Sequence, residues 1–558
     1  MDLAHIPLGG NILHLTWLVM LVTRVSAKAV FSHFMWGAHE NTIETAFQVA
    51  KKQNFQLFFS FDYVGNGSWP QADVLHLLQK YSSSSAHYRH NNKPFVSTFE
   101  GFDNADDWKE IKNKTKCFFV PDWSSVGAKA ALQLADGVAD GLFSWAAWPS
   151  GGGKMNTLED AAFIDSLKAA DKPYMMPISP WFFADMPFYG KNFSFHGGSL
   201  WNERWVEVFY IDPEWVEIIS WNDYGESHYI GPLNEKGFQL FDADKGSYNY
   251  ARGMPHDGWR LQLPFAIDVY KNGTASVKQE SLVMWYRTQS ESACGNKSSV
   301  DDDLKKAGAH KNQIFFSALL GSNASIKATF GDMEKHASWS YKPDGGVGIY
   351  YGSTDIHPNN FEDAVVAVLR DGEEFIKVKG PSLNDSCADS FVNFNAWVGG
   401  GTANANTKAF PERPLSEQVC IQGSGPANFS ELCQFTCSYG YCPIENCYCT
   451  AMGAPRNKPS PTKQKGYPKD GDGRYLGLCS FACYYGFCLT SACKSNGTST
   501  AALPTSAACT ETGSARNAHD SKCPPHTKET DNEATSVRQS PVVCSISLMF
   551  LVMSVIIL

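Results

Sequence analysis

Two carboxylates stand three residues apart in Trp221-Asn222-Asp223-Tyr224-Gly225-Glu226-Ser227-His228. An acid pair flanked by aromatic rings and an imidazole suits the cleavage of a glycosidic bond. One group protonates the departing oxygen, and the other activates water or attacks the anomeric carbon. The two must differ in pKa, which requires different surroundings. Spacing alone does not separate such a pair from two solvated acids in a turn. The setting favours chemistry, because the motif follows residues 216–220, an apolar run with strand character.

Further acids close other apolar runs: Asp62 after FFSF, Glu100 after STF and Asp122 after FVP, with His33 in the first run of this kind. An acid at the end of a buried strand is costly without a partner. Singly, each reads as a helix cap or an ion pair; together they suggest a polar cleft that grips sugar hydroxyls. Trp123, Trp145, Trp148, Trp181 and Trp221 are candidate platforms for the apolar faces of sugars, set against plain core packing. Asn222, Tyr224 and His228 complete the candidate lining. Residues 150–155, SGGGKM, lack the full phosphate-loop pattern. No G-x-S-x-G elbow lies between a strand and a helix.

The elements that must position these groups recur along residues 28–235. Runs at 28–37, 56–63, 94–101, 116–123, 141–148, 173–180 and 216–224 are dense in Val, Ile, Phe and Tyr, as strands buried on both faces should be. Helical spacing appears between them, as at Ile43, Phe47 and Ala50. Strand–helix alternation implies parallel strands and right-handed crossovers. Acids gathered at the C-terminal strand ends favour an α/β (β/α)8 barrel of the triosephosphate-isomerase type over a doubly wound open sheet. Seven runs leave the barrel one βα unit short.

The rest of the chain changes character. Residues 236–420 carry strand-like runs with Gly, Asn and Asp turns, which predicts a β-sandwich-like accessory domain. Residues 421–495 hold two copies of C-x3-C-x4-C-x4-C, at Cys433, Cys437, Cys442 and Cys447 and at Cys479, Cys483, Cys488 and Cys493. They read as disulfide-stapled modules rather than zinc sites, since no His lies within either copy. Residues 496–541 read as a Ser/Thr-rich stalk.

Both ends give an address. Residues 1–27 read as a signal peptide with an apolar core at 12–23. Residues 542–558 form an apolar tail that suits a lipid-anchor signal, with a retained membrane helix as the competing reading. Nine N-x-S/T sequons, at Asn66, Asn113, Asn192, Asn272, Asn296, Asn323, Asn384, Asn428 and Asn496, and 16 Cys agree with a secretory route. Cys117, within an expected strand, reads as a buried free thiol. The chain has 558 residues, 43% apolar and 13% aromatic, with a formal charge of −10. No basic stripe appears, so nucleic acid is not an expected partner.

Taken in order, KAVFSHFMWG, FQLFFSFDY, PFVSTFEG, FFVPDWSS, GLFSWAAWP, KPYMMPISPWFF and VEIISWNDYGESHYIGPL resemble glycoside hydrolase family 71, the fungal α-1,3-glucanases or mutanases. The resemblance covers residues 28–235. It implies a (β/α)8 barrel, no metal or organic cofactor, and hydrolysis of α-1,3-glucan with inversion; a monomer is expected, with membrane contact only through the C-terminal anchor read from the tail. It places the catalytic pair at Asp223 and Glu226, here as acid and base in that order. Inversion calls for carboxyls roughly 6.5–9.5 Å apart. Against the family pattern, a helix and strand are missing between Gly37 and the 56–63 run. A wall-anchored glucan-binding protein without catalysis is the alternative that this gap suggests.

Overall fold

The computed structural model describes residues 16–23, 29–35 and 40–495, apart from 66, 150–153, 196, 243–245, 247, 290–292, 294–311, 357–361, 385–390 and 427–428; for 16–35, 40, 42 and 404–406 it describes the backbone alone. The stalk and apolar tail expected at 496–558 lie outside the described residues. Among the described residues, no helix is long and apolar enough to cross a membrane.

All seven runs anticipated between 28 and 224 contain strands: β2 (Ala29–Met35), β3 (Gln56–Asp62), β4 (Lys93–Phe99), β5 (Phe118–Phe119), β6 (Leu142–Phe143), β7 (Tyr174–Ile178) and β8 (Trp215–Ile218). Successive strands pair in parallel, with β5 and β6 joined through the Asp122–Phe143 bridge. The helices Glu40–Lys52, Gln71–Tyr81, Asp107–Thr115, Ala128–Leu134, Leu158–Lys168 and Leu200–Ile211 alternate with them. The side chains divide as a double-sided strand requires. Phe58, Phe95, Phe118, Phe143, Met175 and Trp215 share one core. Phe59, Val96, Phe119, Met176 and Val216 join a second core with helix residues such as Phe47, Leu78 and Trp108.

A strand that the sequence reading did not anticipate lies between β2 and β8. Thr16–Thr23, within the expected signal peptide, forms β1 and pairs antiparallel with both β2 and β8. The pairings then run in a closed circuit, so neither facing edge is left without a partner. The run TWLVMLVT is aliphatic and partly β-branched, which suits a buried strand as well as a leader.

The expected boundary at residue 235 moves. Residues 235–272 are largely helical, and Phe238, Tyr250, Trp259 and Tyr270 share the core of the strands and helices described above. The β-rich part begins at Val277. Five antiparallel strands (Trp339–Tyr341, Gly348–Asp355, Gln313–Leu320, Val277–Tyr286, Trp397–Ala409) and four more (Met333–Lys335, Ser325–Phe330, Ala364–Arg370, Glu373–Lys379) form two sheets. Their inward side chains, among them Met284, Phe316, Phe330 and Val366, make one core.

The cysteine copies pair identically, as Cys433–Cys447 with Cys437–Cys442 and as Cys479–Cys493 with Cys483–Cys488. Among the described residues Cys420–Cys449 adds a fifth bridge. The copies face each other through Phe429 stacked on Tyr475 and Phe435 on Phe487. Thr157 and Tyr210 donate to the carbonyls of Ile444 and Cys442, which docks the first copy against the helices Leu158–Lys168 and Leu200–Ile211. Cys117 is free and buried, and burial pushes its thiol up to about 11.

Removing residues 1–27 exposes the facing edges of β2 and β8. The truncated chain is expected to melt at lower temperature and to aggregate more readily than the full chain. Equal melting temperatures in a thermal scan would show that β1 is dispensable.

Candidate active site

The turn after β8 is built before its carboxylates are placed. Ser220 N donates to His228 O at 2.9 Å, and Ile230 N donates to Ser220 O at 2.8 Å, closing the loop on itself. Within it, Glu226 N donates to Asp223 Oδ1 at 2.9 Å and Asp223 N to Ser220 Oγ at 3.1 Å. Asp223 thus caps the turn with one oxygen and keeps the other for the site. Gly225 allows a close approach, because a Cβ there would lie 2.6 Å from Leu240 Cδ2.

His228 joins the two acids. Its Nε2 lies 3.0 Å from Glu226 Oε2 and 3.1 Å from Asp223 Oδ2, while Nδ1 shares a hydrogen bond with Ser220 Oγ at 2.8 Å. Lys191 Nζ donates to the other Glu226 oxygen. Lys191 arrives on a hairpin, Phe183–Met186 with Lys191–Ser194, inserted between β7 and the following helix. Asp223, Glu226, His228 and Lys191 are 3%, 6%, 0% and 8% exposed. One ligand atom each from Asp223, Glu226 and His228 lies within 4.8 Å of the others. This trio could share a cation, although the Lys191 ammonium already holds Glu226. Both acids lean on one imidazole nitrogen, which brings an oxygen of each toward the other.

The surroundings drive the two acids apart. Burial raises the Asp223 pKa, and the neighbouring Glu226 charge raises it further against the pull of His228. Burial also opposes the Glu226 charge, but Lys191 and His228 outweigh it and hold that carboxyl at about 2. Burial works against a charged His228, yet the two carboxylates outweigh it and bring the imidazole to about 9.

The other expected residues fall into groups. Asp62 is buried near Lys191 and accepts from Val64 N and Gly65 N at 2.8 and 2.9 Å; burial raises its pKa. Glu100 accepts from Ser125 N and Oγ at 3.1 and 2.6 Å. Asp122 accepts from Ser124, whose Oγ in turn accepts from Trp145 N at 2.8 Å. Burial and then Glu100 raise the Asp122 pKa well above normal. Glu100, Asp122 and Trp145 therefore form a patch of their own. Trp148 stands 5.2 Å from the His228 ring, centroid to centroid, and Trp221 is half-buried beneath the Arg260 guanidinium. Asn222 is buried. His33 lies in β2, and its side chain is outside the described residues.

Three of the candidate rings lie in the core. Trp123 is 0% exposed and packs edge-on against Phe119, so it offers no face to a sugar. Trp181 is buried, with its indole N–H on Phe394 O at 3.0 Å. Tyr224 is buried against Tyr229 and Phe238, with its hydroxyl on Pro232 O at 2.8 Å. Each is a large ring in a site that excludes water, where core packing wins. Sequence reasoning missed Lys191, which carries no motif. It also missed Glu217, fully buried with both oxygens lacking hydrogen-bond partners; burial and then Asp122 push its pKa well up. An acid amid the apolar run VEII was a visible signal for Glu217.

Comparison with known proteins adds a family to this geometry. A mutanase of Penicillium rubens is 32% identical over 381 residues, covering 65% of this chain and 80% of the relative. The glucan endo-1,3-α-glucosidase agn1 of Schizosaccharomyces pombe is 30% identical over 376 residues, covering 64% and 83%. The ascus wall endo-1,3-α-glucanase of the same yeast is 27% identical over 335 residues, covering 50% and 76%. Among solved structures, a GH99 endo-α-mannosidase from Bacteroides thetaiotaomicron shares 14% identity at a TM-score of 0.33, covering 43% of this chain and 74% of that one, too slight a likeness to bear on fold or chemistry. The model of glycosyl hydrolase family 71 matches residues 37–410, more than half of the chain, and the chain belongs to that family.

Proposed function

We propose that this protein hydrolyses α-1,3-glucan, with Asp223 as acid and Glu226 as base. The observation that carries the reading is two buried carboxyls meeting at one imidazole, with the Lys191 ammonium bound to Glu226; burial favours the protonated form of Asp223, and the two cations favour the ionised form of Glu226. Such a split is how one site supplies an acid and a base together. The names of the relatives supply the substrate class.

In the hydrolytic step Asp223 gives its proton to the glycosidic oxygen as the C–O bond breaks. Glu226 takes a proton from the water whose oxygen bonds to the anomeric carbon. His228, positively charged below about 9, and the Lys191 ammonium stabilise the Glu226 carboxylate. Inversion needs a water between the base and the anomeric carbon; retention through a covalent intermediate on Glu226 is the second reading that a carboxylate pair allows. Proton NMR of the first-formed product separates the two: inversion of an α-linkage gives the β-anomer, and retention gives the α-anomer.

The wider frame belongs to the same proposal. The circuit of strands is a (β/α)8-type barrel in which β1 stands in for a missing βα unit, and the two later sheets form a β-sandwich. Nine sequons, and five disulfides among the described residues, agree with a glycoprotein of the secretory route, held at the cell surface or wall by the 542–558 anchor. A signal peptide at 1–27 and a strand at 16–23 claim the same residues, so one mature molecule has only one of them.

Asp223→Asn and Glu226→Gln are each expected to cut the release of reducing ends from α-1,3-glucan by roughly 10²–10⁴-fold. Full activity in both would remove the pair; glucan binding without any release by the wild type would favour a non-catalytic binder. A second expectation concerns pH. The Glu226 pKa is depressed, so its ionised form is lost only as pH falls through about 2. Lys191→Met removes the largest favourable charge, so the acid limb of kcat against pH should move upward. A limb that stays in place would show that Lys191 does not set it. The His228 pKa is raised, so its stabilising contribution is complete below its ordinary 6.5 and is lost as pH rises through about 9. His228→Gln should flatten the decline in melting temperature over that window.

A further inference from the structure

The catalytic turn is held from behind by a residue that no motif marks. Tyr250 is fully buried, and its hydroxyl donates to Gly225 O at 2.5 Å while accepting from Asp185 N at 3.2 Å. The next carbonyl, Glu226 O, accepts from Phe183 N at 3.1 Å. The two peptide oxygens flanking the Glu226 amide and carbonyl are therefore both anchored, and the Phe183 and Tyr250 rings pack together at 4.8 Å.

Tyr250 is held in turn from the β-rich part of the chain. Asn393 and Asn395 each donate a side-chain N–H to Tyr250 O, at 3.1 and 3.2 Å. Asn395 is fully buried and also reaches Tyr229 OH at 3.1 Å. Phe394 between them packs on Phe183 and accepts from the Trp181 indole at 3.0 Å. A strap more than a hundred residues beyond Glu226 thus reaches its backbone through one tyrosine.

We propose that Tyr250 is a positioning residue for Glu226 and that the Asn393-Phe394-Asn395 strap is the support that fixes Tyr250. The inference rests on the catalytic reading of Glu226. A buried carbonyl that loses its donor pays a desolvation penalty, and the turn relaxes to recover a partner. A slip of about 1 Å in a catalytic group costs up to roughly 100-fold in rate. The two faces of this device are chemically distinct: the tyrosine hydroxyl acts on the turn, and the asparagine amides hold the tyrosine backbone, with Asn395 also reaching Tyr229 OH.

The test is Tyr250→Phe, with Asn395→Ala as a second variant acting one step further back. Tyr286→Phe serves as the stability control, since its hydroxyl bonds Pro381 O within the β-rich core, away from the turn. Tyr250→Phe is expected to lower kcat on α-1,3-glucan by 10- to 100-fold with KM within about twofold. Asn395→Ala should lower it less, and Tyr286→Phe should leave it unchanged. An activity-independent readout accompanies this: Asp223 and then Glu226 raise the His228 pKa, so the NMR titration of the ring should shift downward in Tyr250→Phe as Glu226 moves off. Unchanged kcat and unchanged His228 titration in Tyr250→Phe would overturn the proposal. So would an equal kcat loss in Tyr286→Phe. Were the wild type to release no sugar, the function would fall while the His228 titration still decided the positioning.

Discussion

Everything at this site depends on burying four ionisable groups together at an affordable electrostatic cost. Lys191, Asp223, Glu226 and His228 are nearly removed from water. Charges so placed persist only when each meets an opposite charge and its remaining hydrogen-bonding groups find partners. The arrangement meets that condition with two cations around one carboxylate that must stay ionised. The second carboxyl, pressed by burial and by its neighbour, is free to carry a proton. Acid and base roles follow from this imbalance rather than from any difference in residue type.

The scaffold can be understood as what delivers those four groups. The end of β8 supplies three of them within six residues, because the loop folds back on Ser220 and turns His228 over its own acids. The fourth comes from a hairpin that lies far from the turn in sequence but beside it in space. Behind the turn, the helices and the β-rich segment supply packing and hydrogen bonds rather than members of this cluster. They contribute rigidity, and a buried ion cluster without it would rearrange to let water in. The family match spans residues 37–410 and so runs through both parts, in keeping with a site that needs both.

Much of this was legible in the chain, and the failures have physical causes. The seven parallel strands were readable because strands buried on both faces are dense in large apolar residues. The turn at 221–228 was readable because polar residues crowd the end of such a strand. Lys191 was not, since a lysine in an ordinary hairpin looks like surface until its neighbours are known. Trp123, Trp181 and Tyr224 stayed open between core and cleft because an aromatic ring near a site serves either equally well on paper. The 235 boundary was set too early because residues 236–272 are short helical pieces without sustained periodicity. The run at 16–23 carries two meanings at once: aliphatic length suits a leader, and β-branching suits a strand.

The most direct measurement is a crystal structure of the Glu226→Gln protein with an α-1,3-linked glucan oligosaccharide. The account predicts a glycosidic oxygen within hydrogen-bonding reach of Asp223, roughly 2.6–3.2 Å, with the sugar chain passing Trp148 and Trp221. A sugar seated instead along Glu100, Asp122 and Trp145, with Asp223 and His228 still closed upon each other, would contradict it.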